Sequence, residues 1–294
     1  NMITEKKREM RIVHGDFNIG VHGEDFSILF SKQSGTLISV KYSGREMIAI
    51  PPAPLFWRAT TDNDRGFFQG YESGLWFAAS LARKCIDIET IEEDNYMSIS
   101  FSYKFSISSK MNVQSIYKVS TNGNIQVKSI YNGSEHLPPL PIFALTFKIP
   151  ADYHMLEWFA FGPEENYEDR SKGARLGIFK NTVKENVSEY VMPQESGNRT
   201  GVRWVKITNP TGQGVKISTI DKPVECNISP YTAFEIESAA HHYELPNVHY
   251  TVITVARRQM GVGGDDSWGA PVQKNHIIEA NQQMEFEFML ERLD

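Results

Sequence analysis

The sequence predicts an all-β fold of antiparallel strands with one short helix. Apolar and polar residues alternate without interruption over 99–107, which places apolar side chains on one face of a strand and polar ones on the other. Glycine-containing turns separate shorter alternating segments, since glycine supplies the positive φ of tight hairpin turns. The helices that would link parallel strands are missing from the pattern. We therefore expect hairpins and meanders.

The other elements follow from the same patterns. Further strands are predicted at 26–30, 125–131, 143–147, 250–255 and 284–290, and turns at 122–123, 132–133 and 211–212. The helix is predicted over 71–83, where five apolar residues would cluster on one side at helical spacing: Leu75, Phe77, Ala78, Leu81 and Ala82,. We expect it to plug an edge of the sandwich. Prolines within 137–141 are expected to fix a connection or an edge.

Composition limits the classes of partner. A chain of 294 residues with 40% hydrophobic content can form a large core as one domain or two. Thirty basic against 36 acidic residues give a formal charge of −6, which argues against nucleic acid. No apolar run approaches the length of a membrane helix, so no membrane partner is expected. Cys85 and Cys226 alone build no disulfide framework, and the compartment stays open between cytoplasm and periplasm.

Four polar blocks carry the candidate chemistry, at 56–66, 161–170, 193–201 and 259–271. In the first block Arg58, Asn63 and Asp64 could bind sugar hydroxyls, or they could form a loop bonded to itself. The second block holds Glu165 and Asn166 in a run without the layout of a calcium loop, so a solvated turn paired with Arg170 is the simpler interpretation. Glu195 and Asn198 lie in the third block, a polar turn. These are candidate site-shaping residues.

The fourth block holds a tryptophan among glycines and polar residues. Trp268 follows Asp265, Asp266 and Ser267 on a flexible or sharply turned backbone. An indole on such a loop offers a flat apolar face against which a pyranose can lie. These four residues are the candidate substrate-binding set. The alternative is an ordinary buried tryptophan.

Three of the blocks resemble a known family. Phe-x-Arg-Ala-x-x-Asp-Asn-Asp at 56–64, Gly-Pro-x-Glu-Asn-Tyr-x-Asp-Arg at 162–170 and Gly-x-Gly-Gly-Asp-Asp-Ser-Trp at 261–268 are similar to the C-terminal domain, or small chain, of glycoside hydrolase family 2 β-galactosidases of the bacterial LacZ type. The resemblance extends from about Phe17 to the C-terminus. It implies a large supersandwich related to galactose mutarotases at 13–294, after a linker or expression remnant at 1–12.

The resemblance also implies a division of labour. Trp268 occupies the motif position of a tryptophan that contacts the sugar or aglycone. The glutamates of the retaining hydrolysis, together with Mg and Na ions, would belong to TIM-barrel and sandwich domains, fused upstream or supplied as a large subunit. This chain would then hold no catalytic or metal-binding residue and no cofactor, and alone it would be inactive. Its partners would be terminal β-D-galactosides and those domains, in an oligomeric enzyme.

Three departures from the family pattern concern the site: Thr60 replaces a proline, Ser196 an asparagine and Ala256 an aspartate. A second function remains open, because a sandwich of this type could be an autonomous carbohydrate-binding module or a mutarotase. A mutarotase needs a histidine acid and a carboxylate base in one cleft. The candidates would be His154, His241, His242, His249 and Glu195.

Overall fold

The computed structural model describes residues 9–266 and 269–294. Within them, nineteen strands and four short α-helices are present. The strands are β1 Arg11–His14, β2 Asn18–His22, β3 Phe26–Ser31, β4 Thr36–Tyr42, β5 Arg45–Glu46, β6 Ile50–Leu55, β7 Lys84–Glu93, β8 Tyr96–Phe105, β9 Ser108–Ser120, β10 Ile125–Tyr131, β11 Ile142–Pro150, β12 Met155–Gly162, β13 Arg175–Thr182, β14 Arg199–Val202, β15 Trp204–Thr208, β16 Gly214–Thr219, β17 Val224–Ser229, β18 Tyr250–Gln259 and β19 Met284–Leu293. The α-helices are α1 Asp62–Gly66, α2 Gln69–Glu72, α3 Gly74–Leu81 and α4 Ala233–Glu237.

The strands form three antiparallel sheets. The orders are β1-β2-β3-β4-β5, β13-β12-β15-β16-β19-β10-β9-β8-β7 and β14-β17-β18-β11-β6. Sequence neighbours pair as hairpins, as in β8 with β9 and β15 with β16. The predicted all-β antiparallel class is confirmed.

An aromatic cluster fills the core. Phe56 lies next to Trp76 and Phe143, with ring centroids 5.6 and 6.3 Å apart, and Tyr131 contacts the same rings. The four side chains come from β10, β11, α3 and the segment after β6. Each buried aromatic ring contributes roughly 1.5–3 kcal/mol. The cluster therefore joins the nine-stranded sheet to the five-stranded sheet that contains β6 and β11.

The outer edge of the nine-stranded sheet is β7, which is exposed along most of its length. Four of its ten residues are acidic: Asp87, Glu89, Glu92 and Glu93. This edge carries a row of negative charge.

All six predicted strands are present. The alternating segment 99–107 forms most of β8, but Ser106 and Ile107 lie in the turn to β9, so the prediction is wrong for those two residues. The strands at 250–255 and 284–290 are longer than predicted, as β18 and β19. Gly123 and Gly212 adopt φ of 82° and 88° in hairpin turns, as their sequence context predicts.

The helix prediction is correct in place and wrong in orientation. Helix α3 lies inside 71–83, but its buried residues are Trp76 and Ala79. Leu75 and Leu81 of the predicted apolar side are 45% and 61% exposed. The indole of Trp76 donates to Pro138 O at 3.0 Å. Of the predicted apolar side, only Phe77 packs against the core, through Trp57 and Phe234. Helices α1, α2 and α4 are not predicted by the hydrophobic pattern, because four or five residues are too few to show a helical period.

Cys85 and Cys226 are both free thiols. In the described part of the chain, no helix has the length and hydropathy required to cross a bilayer. The same residues include no cluster of three or more His, Cys, Asp or Glu arranged for a metal ion.

Candidate functional site

The four polar blocks meet around one open depression of about 390 Å³. Loops and strand ends from distant parts of the chain form its wall. The lining residues are Thr61, Asp62, Asn63, Tyr167, Arg170, Tyr190, Gln194, Glu195, Val262, Gly263, Gly264 and Asp266. Sequence blocks as much as two hundred positions apart thus share one surface.

Arg58, which forms a buried ion pair with Asp64 inside the first block, connects that block to the fourth. The guanidinium of Arg58 contacts Asp64 through Nη2 at 2.9 Å and Nε at 3.2 Å, and both side chains are almost fully buried. Its other donors reach the carbonyl oxygens of Met260 and, at 2.8 Å, Gly261. Burial alone would lower the pKa of Arg58, but the charge of Asp64 reverses this and raises it. Arg58 therefore stays charged and fixes the start of the glycine-bearing loop.

Asp62 and Asn63 hold the neighbouring loops. The carboxylate of Asp62 accepts from Gln194 Nε2 at 3.0 Å, and the Asp62 amide donates to Gln194 Oε1 at 3.0 Å. Asn63 Nδ2 donates to Ala270 O at 3.2 Å, and no partner for its buried Oδ1 is present among the described residues. The first block thus binds both the third and fourth blocks.

Glu165 is a loop anchor. It accepts from Tyr190 Oη at 2.7 Å, from the Gly197 amide at 2.6 Å and from Arg170. Burial would raise its pKa, but these hydrogen bonds and the charge of Arg170 outweigh burial and lower it. The predicted pairing with Arg170 is present, whereas the predicted solvated turn is wrong for Glu165, whose side chain is only 9% exposed.

Asn166 and Asn198 join the second and third blocks. Asn166 Nδ2 donates to Phe161 O and Glu164 O at 2.9 and 3.1 Å, and its Oδ1 accepts from the Thr200 amide at 2.9 Å. Asn198 Nδ2 donates to Asn166 O at 3.0 Å. Both asparagines are buried, so a solvated turn is also wrong for Asn166.

Glu195 lies at the base of the depression. Its Oε1 accepts from Asn227 Nδ2 at 2.9 Å and lies 3.4 Å from Tyr167 Oη. Burial raises the pKa of Glu195 to about 7, although the charge of Arg58 acts in the opposite direction. Its carboxyl therefore holds a proton far more readily than an exposed glutamate does.

The glycine-bearing loop approaches its neighbours closely. The Gly263 amide donates to Asp169 at 2.8 Å, and a Cβ at Gly264 would lie 2.3 Å from Ala270 O. Asp265 accepts from Gln273 at 3.0 Å, and Asp266 accepts from the Ala270 amide at 3.1 Å. Ser267 and Trp268, the remaining residues of the substrate-binding prediction, lie outside the described residues.

Two residues of the depression, Tyr190 and Gln194, are not predicted from the sequence. Tyr190 lies outside all four blocks, and Gln194 lies inside the third block without a distinguishing motif. Both are positioned by partners far away in sequence, Glu165 and Asp62, so no local signal could identify them.

The three family departures have local consequences. The Thr60 amide and Oγ1 bind Glu237 at 2.6 and 2.9 Å, and proline could provide neither donor. Ser196 Oγ accepts from the Ser188 amide at 3.3 Å. Ala256 on β18 faces Glu225 of β17 and lines a small internal cavity of about 30 Å³.

A second, larger groove of about 620 Å³ lies on the other side of Gln194. His154 and His242 line it, while Glu195 lines the depression and the small internal cavity. His241 and His249 are exposed. Glu195, the carboxylate predicted for a mutarotase, therefore does not share a cleft with these histidines in the described part of the chain; the carboxylate in the groove with His154 and His242 is Glu189.

Two buried glutamates predict a pH-dependent stability. Burial raises the pKa of Glu225, like that of Glu195, to about 7 from an ordinary 4.5. The folded chain then binds more protons than the unfolded chain between these values, so the free energy of unfolding should fall as pH rises from about 4.5 to 7. Each group contributes on the order of 1–3 kcal/mol.

Glu225→Gln should reduce this slope, because glutamine keeps the contact with Asn198 Nδ2 at 3.0 Å and cannot ionise. Urea denaturation of both proteins at pH 5, 6, 7 and 8 measures the difference. If the free energy of unfolding depended on pH equally in the two proteins, the raised pKa assigned to Glu225 would be wrong.

Comparisons with known proteins identify the family of the chain. A family model described as "Beta galactosidase small chain" matches residues 22–290. A "Beta-galactosidase" of Halalkalibacterium halodurans is 58% identical over 287 residues, covering 97% of this chain and 28% of that protein. A "Beta-galactosidase small subunit" of Latilactobacillus sakei is 34% identical over 316 residues, covering 97% of this chain and 99% of that protein.

Among solved structures, a galactose 1-epimerase from Lactobacillus acidophilus aligns over 98% of this chain and 99% of its own, with 7% identity and a TM-score of 0.49. The chain spans little more than a quarter of the Halalkalibacterium halodurans relative and nearly the whole of the Latilactobacillus sakei subunit.

Proposed function

The chain belongs to the β-galactosidase small-chain family, and on this premise we propose that it completes the galactoside site of a larger retaining β-galactosidase of glycoside hydrolase family 2. The observation that supports this most is the convergence of all four polar blocks on one open depression. Three of those blocks carry the family motifs. A surface assembled from motif residues that mainly hold loops in place suits a domain that shapes a site.

Hydrolysis itself is assigned to the rest of the enzyme. A retaining glycosidase needs an acid/base and a nucleophile carboxylate about 5–5.5 Å apart. Glu165 is occupied by Arg170, Tyr190 and Gly197, and Glu195 is buried under the depression, so both serve loop structure. By the family resemblance, the reacting glutamates and the Mg and Na ions belong to a TIM barrel and sandwich domains outside this chain.

The fourth block supplies the sugar contact. Asp265 and Asp266 are exposed and can accept hydrogen bonds from sugar hydroxyls. Trp268 follows them on the same loop and offers an indole face to the C–H surface of the sugar or aglycone. Arg58 and the close glycine contacts hold the start of this loop in place.

Trp268→Ala tests this assignment. In the complete enzyme the variant should raise KM for a nitrophenyl β-galactoside by roughly 3- to 10-fold, because an aromatic stacking contact contributes about 0.5–1.5 kcal/mol. Steady-state kinetics at varied substrate concentration measure the change.

Tyr243→Ala is the matched control, since Tyr243 is an aromatic residue 81% exposed outside the four blocks; it should leave KM unchanged. The isolated chain should show no hydrolysis of the same substrate. Unaltered kinetics for Trp268→Ala would show that Trp268 does not contact the sugar. Turnover by the isolated chain would refute the assignment of hydrolysis to the rest of the enzyme.

A further inference from the structure

Helices α2 and α3 have an apolar side that is largely exposed to solvent in the described chain. We call it the outer face, and it consists of Phe68, Tyr71, Leu75, Ala78 and Ala82. We propose that the outer face docks onto an apolar surface of the larger, hydrolytic part of the β-galactosidase. This inference rests on the proposed function and identifies the surface through which the two parts meet.

The two sides of these helices differ in burial. Gln69, Ser73 and Trp76, spaced by four and three residues, are at most 7% exposed. Phe68, Tyr71 and Leu75, spaced by three and four, are 74%, 91% and 45% exposed. The Ser73 amide donates to Gln69 O at 2.8 Å, so successive turns keep both stripes aligned. The helices thus bury the side formed by Gln69, Ser73 and Trp76 and expose the outer face to solvent.

The exposure of Phe68 is reinforced by its backbone. Phe68 adopts a left-handed conformation with φ of 63°, which is unusual for a bulky residue and energetically unfavourable. Its side chain makes no cap for the helix that it precedes. Such conformations persist where surrounding structure or function maintains them. A role in docking accounts for an aromatic ring held in solvent at this position.

The outer face adjoins the fourth block. A Cβ at Gly269 would lie 2.5 Å from Gly66 O, two residues before Phe68, and Asn63 of α1 binds Ala270 O at 3.2 Å. Gly269 and Ala270 therefore lie beside α1, next to the outer face. A partner seated there would be placed at the edge of the depression.

The relatives indicate which polypeptide would bind the outer face. This region is 28% of the Halalkalibacterium halodurans β-galactosidase and nearly all of the separate Latilactobacillus sakei small subunit. A small subunit that works with another polypeptide needs a contact surface, and aromatic residues are enriched in the cores of such surfaces. The remaining, larger part of the enzyme is therefore the partner that the outer face fits.

The test coexpresses this chain with a tagged polypeptide comprising the part of the Halalkalibacterium halodurans relative outside the matched region. Tyr71→Glu should weaken association by at least about tenfold, since truncating a central aromatic contact or charging it removes a hot spot. Tyr243→Glu is the matched control, because Tyr243 is 81% exposed elsewhere on the surface, and it should bind like the unmodified chain. Amide hydrogen exchange across 66–83 should slow about tenfold on assembly with the unmodified chain.

The outcomes separate the two ideas. Failure of the unmodified chain to form a complex or to support hydrolysis would refute the proposed function. A working complex that Tyr71→Glu leaves intact, with unchanged exchange over 66–83, would overturn the docking surface alone. Self-association of the isolated chain that is lost in Tyr71→Glu, with binding to the large part unaffected, would assign the face to a second copy instead.

Discussion

Replacing Arg58 with leucine is expected to lower the free energy of unfolding by about 3–5 kcal/mol, the loss typical of breaking one side of a buried ion pair. Asp64 would stay buried without its cation, and the carbonyls of Met260 and Gly261 would lose their donor. Urea denaturation followed by circular dichroism measures the loss. The root of the glycine-bearing loop should loosen at the same time.

Arg65→Leu provides the comparison. Arg65 pairs with Asp62 at 3.1 Å and donates to Pro193 O at 3.0 Å. Because the side chain of Asp62 is 71% exposed, loss of Arg65 should lower the free energy of unfolding by no more than about 1–2 kcal/mol. Similar losses in the two variants would mean that burial does not distinguish the pairs, and the role given to Arg58 would be wrong.

Asn166→Ala should be the second most damaging change, lowering the free energy of unfolding by roughly 3 kcal/mol, because each buried partner left unsatisfied costs about 1–3 kcal/mol. The substitution removes donors from Phe161 O and Glu164 O and an acceptor from Thr200. It should also raise KM of the complete enzyme for a nitrophenyl β-galactoside, since it removes the side-chain link from the second block to Thr200 of the third.

Asn166→Asp separates the two halves of this side chain. Aspartate retains an acceptor for Thr200 but places a carboxylate oxygen against Phe161 O and Glu164 O in a buried site, so the stability lost in thermal and urea denaturation should be at least as large as in Asn166→Ala. An alanine variant as stable as the unmodified chain would show that the asparagine does not join the blocks.

The strands were predictable because burial on one face imposes a period of two on the sequence itself. Segment 125–131 matches β10 at both ends, and alternation fixes which side chains reach the core. The orientation of α3 was not predictable. Both of its sides are apolar, and the buried one is the side whose Trp76 contacts residues distant in sequence: Tyr131 by ring packing and Pro138 by a hydrogen bond.

The sequence predicted many residues of the candidate site but not the hydrogen bonds that join them. The polar density of the blocks identified Glu165, Asn166 and Glu195, yet the partners that determine their state are distant in sequence, such as Tyr190 and Asn227. Burial of the Arg58–Asp64 pair depends equally on Gly261, more than two hundred residues away. Pairing across such separations depends on the assembled sheets, which local composition does not encode.

The acidic edge strand β7 should limit aggregation of the chain. An open strand edge is a template on which a second molecule can extend the sheet. If two molecules met along β7, the carboxylates at 87, 89, 92 and 93 would face one another, and their repulsion would oppose fibril-like stacking. Mild acid or high salt would weaken that protection, because protonation neutralises the charges and counterions screen them.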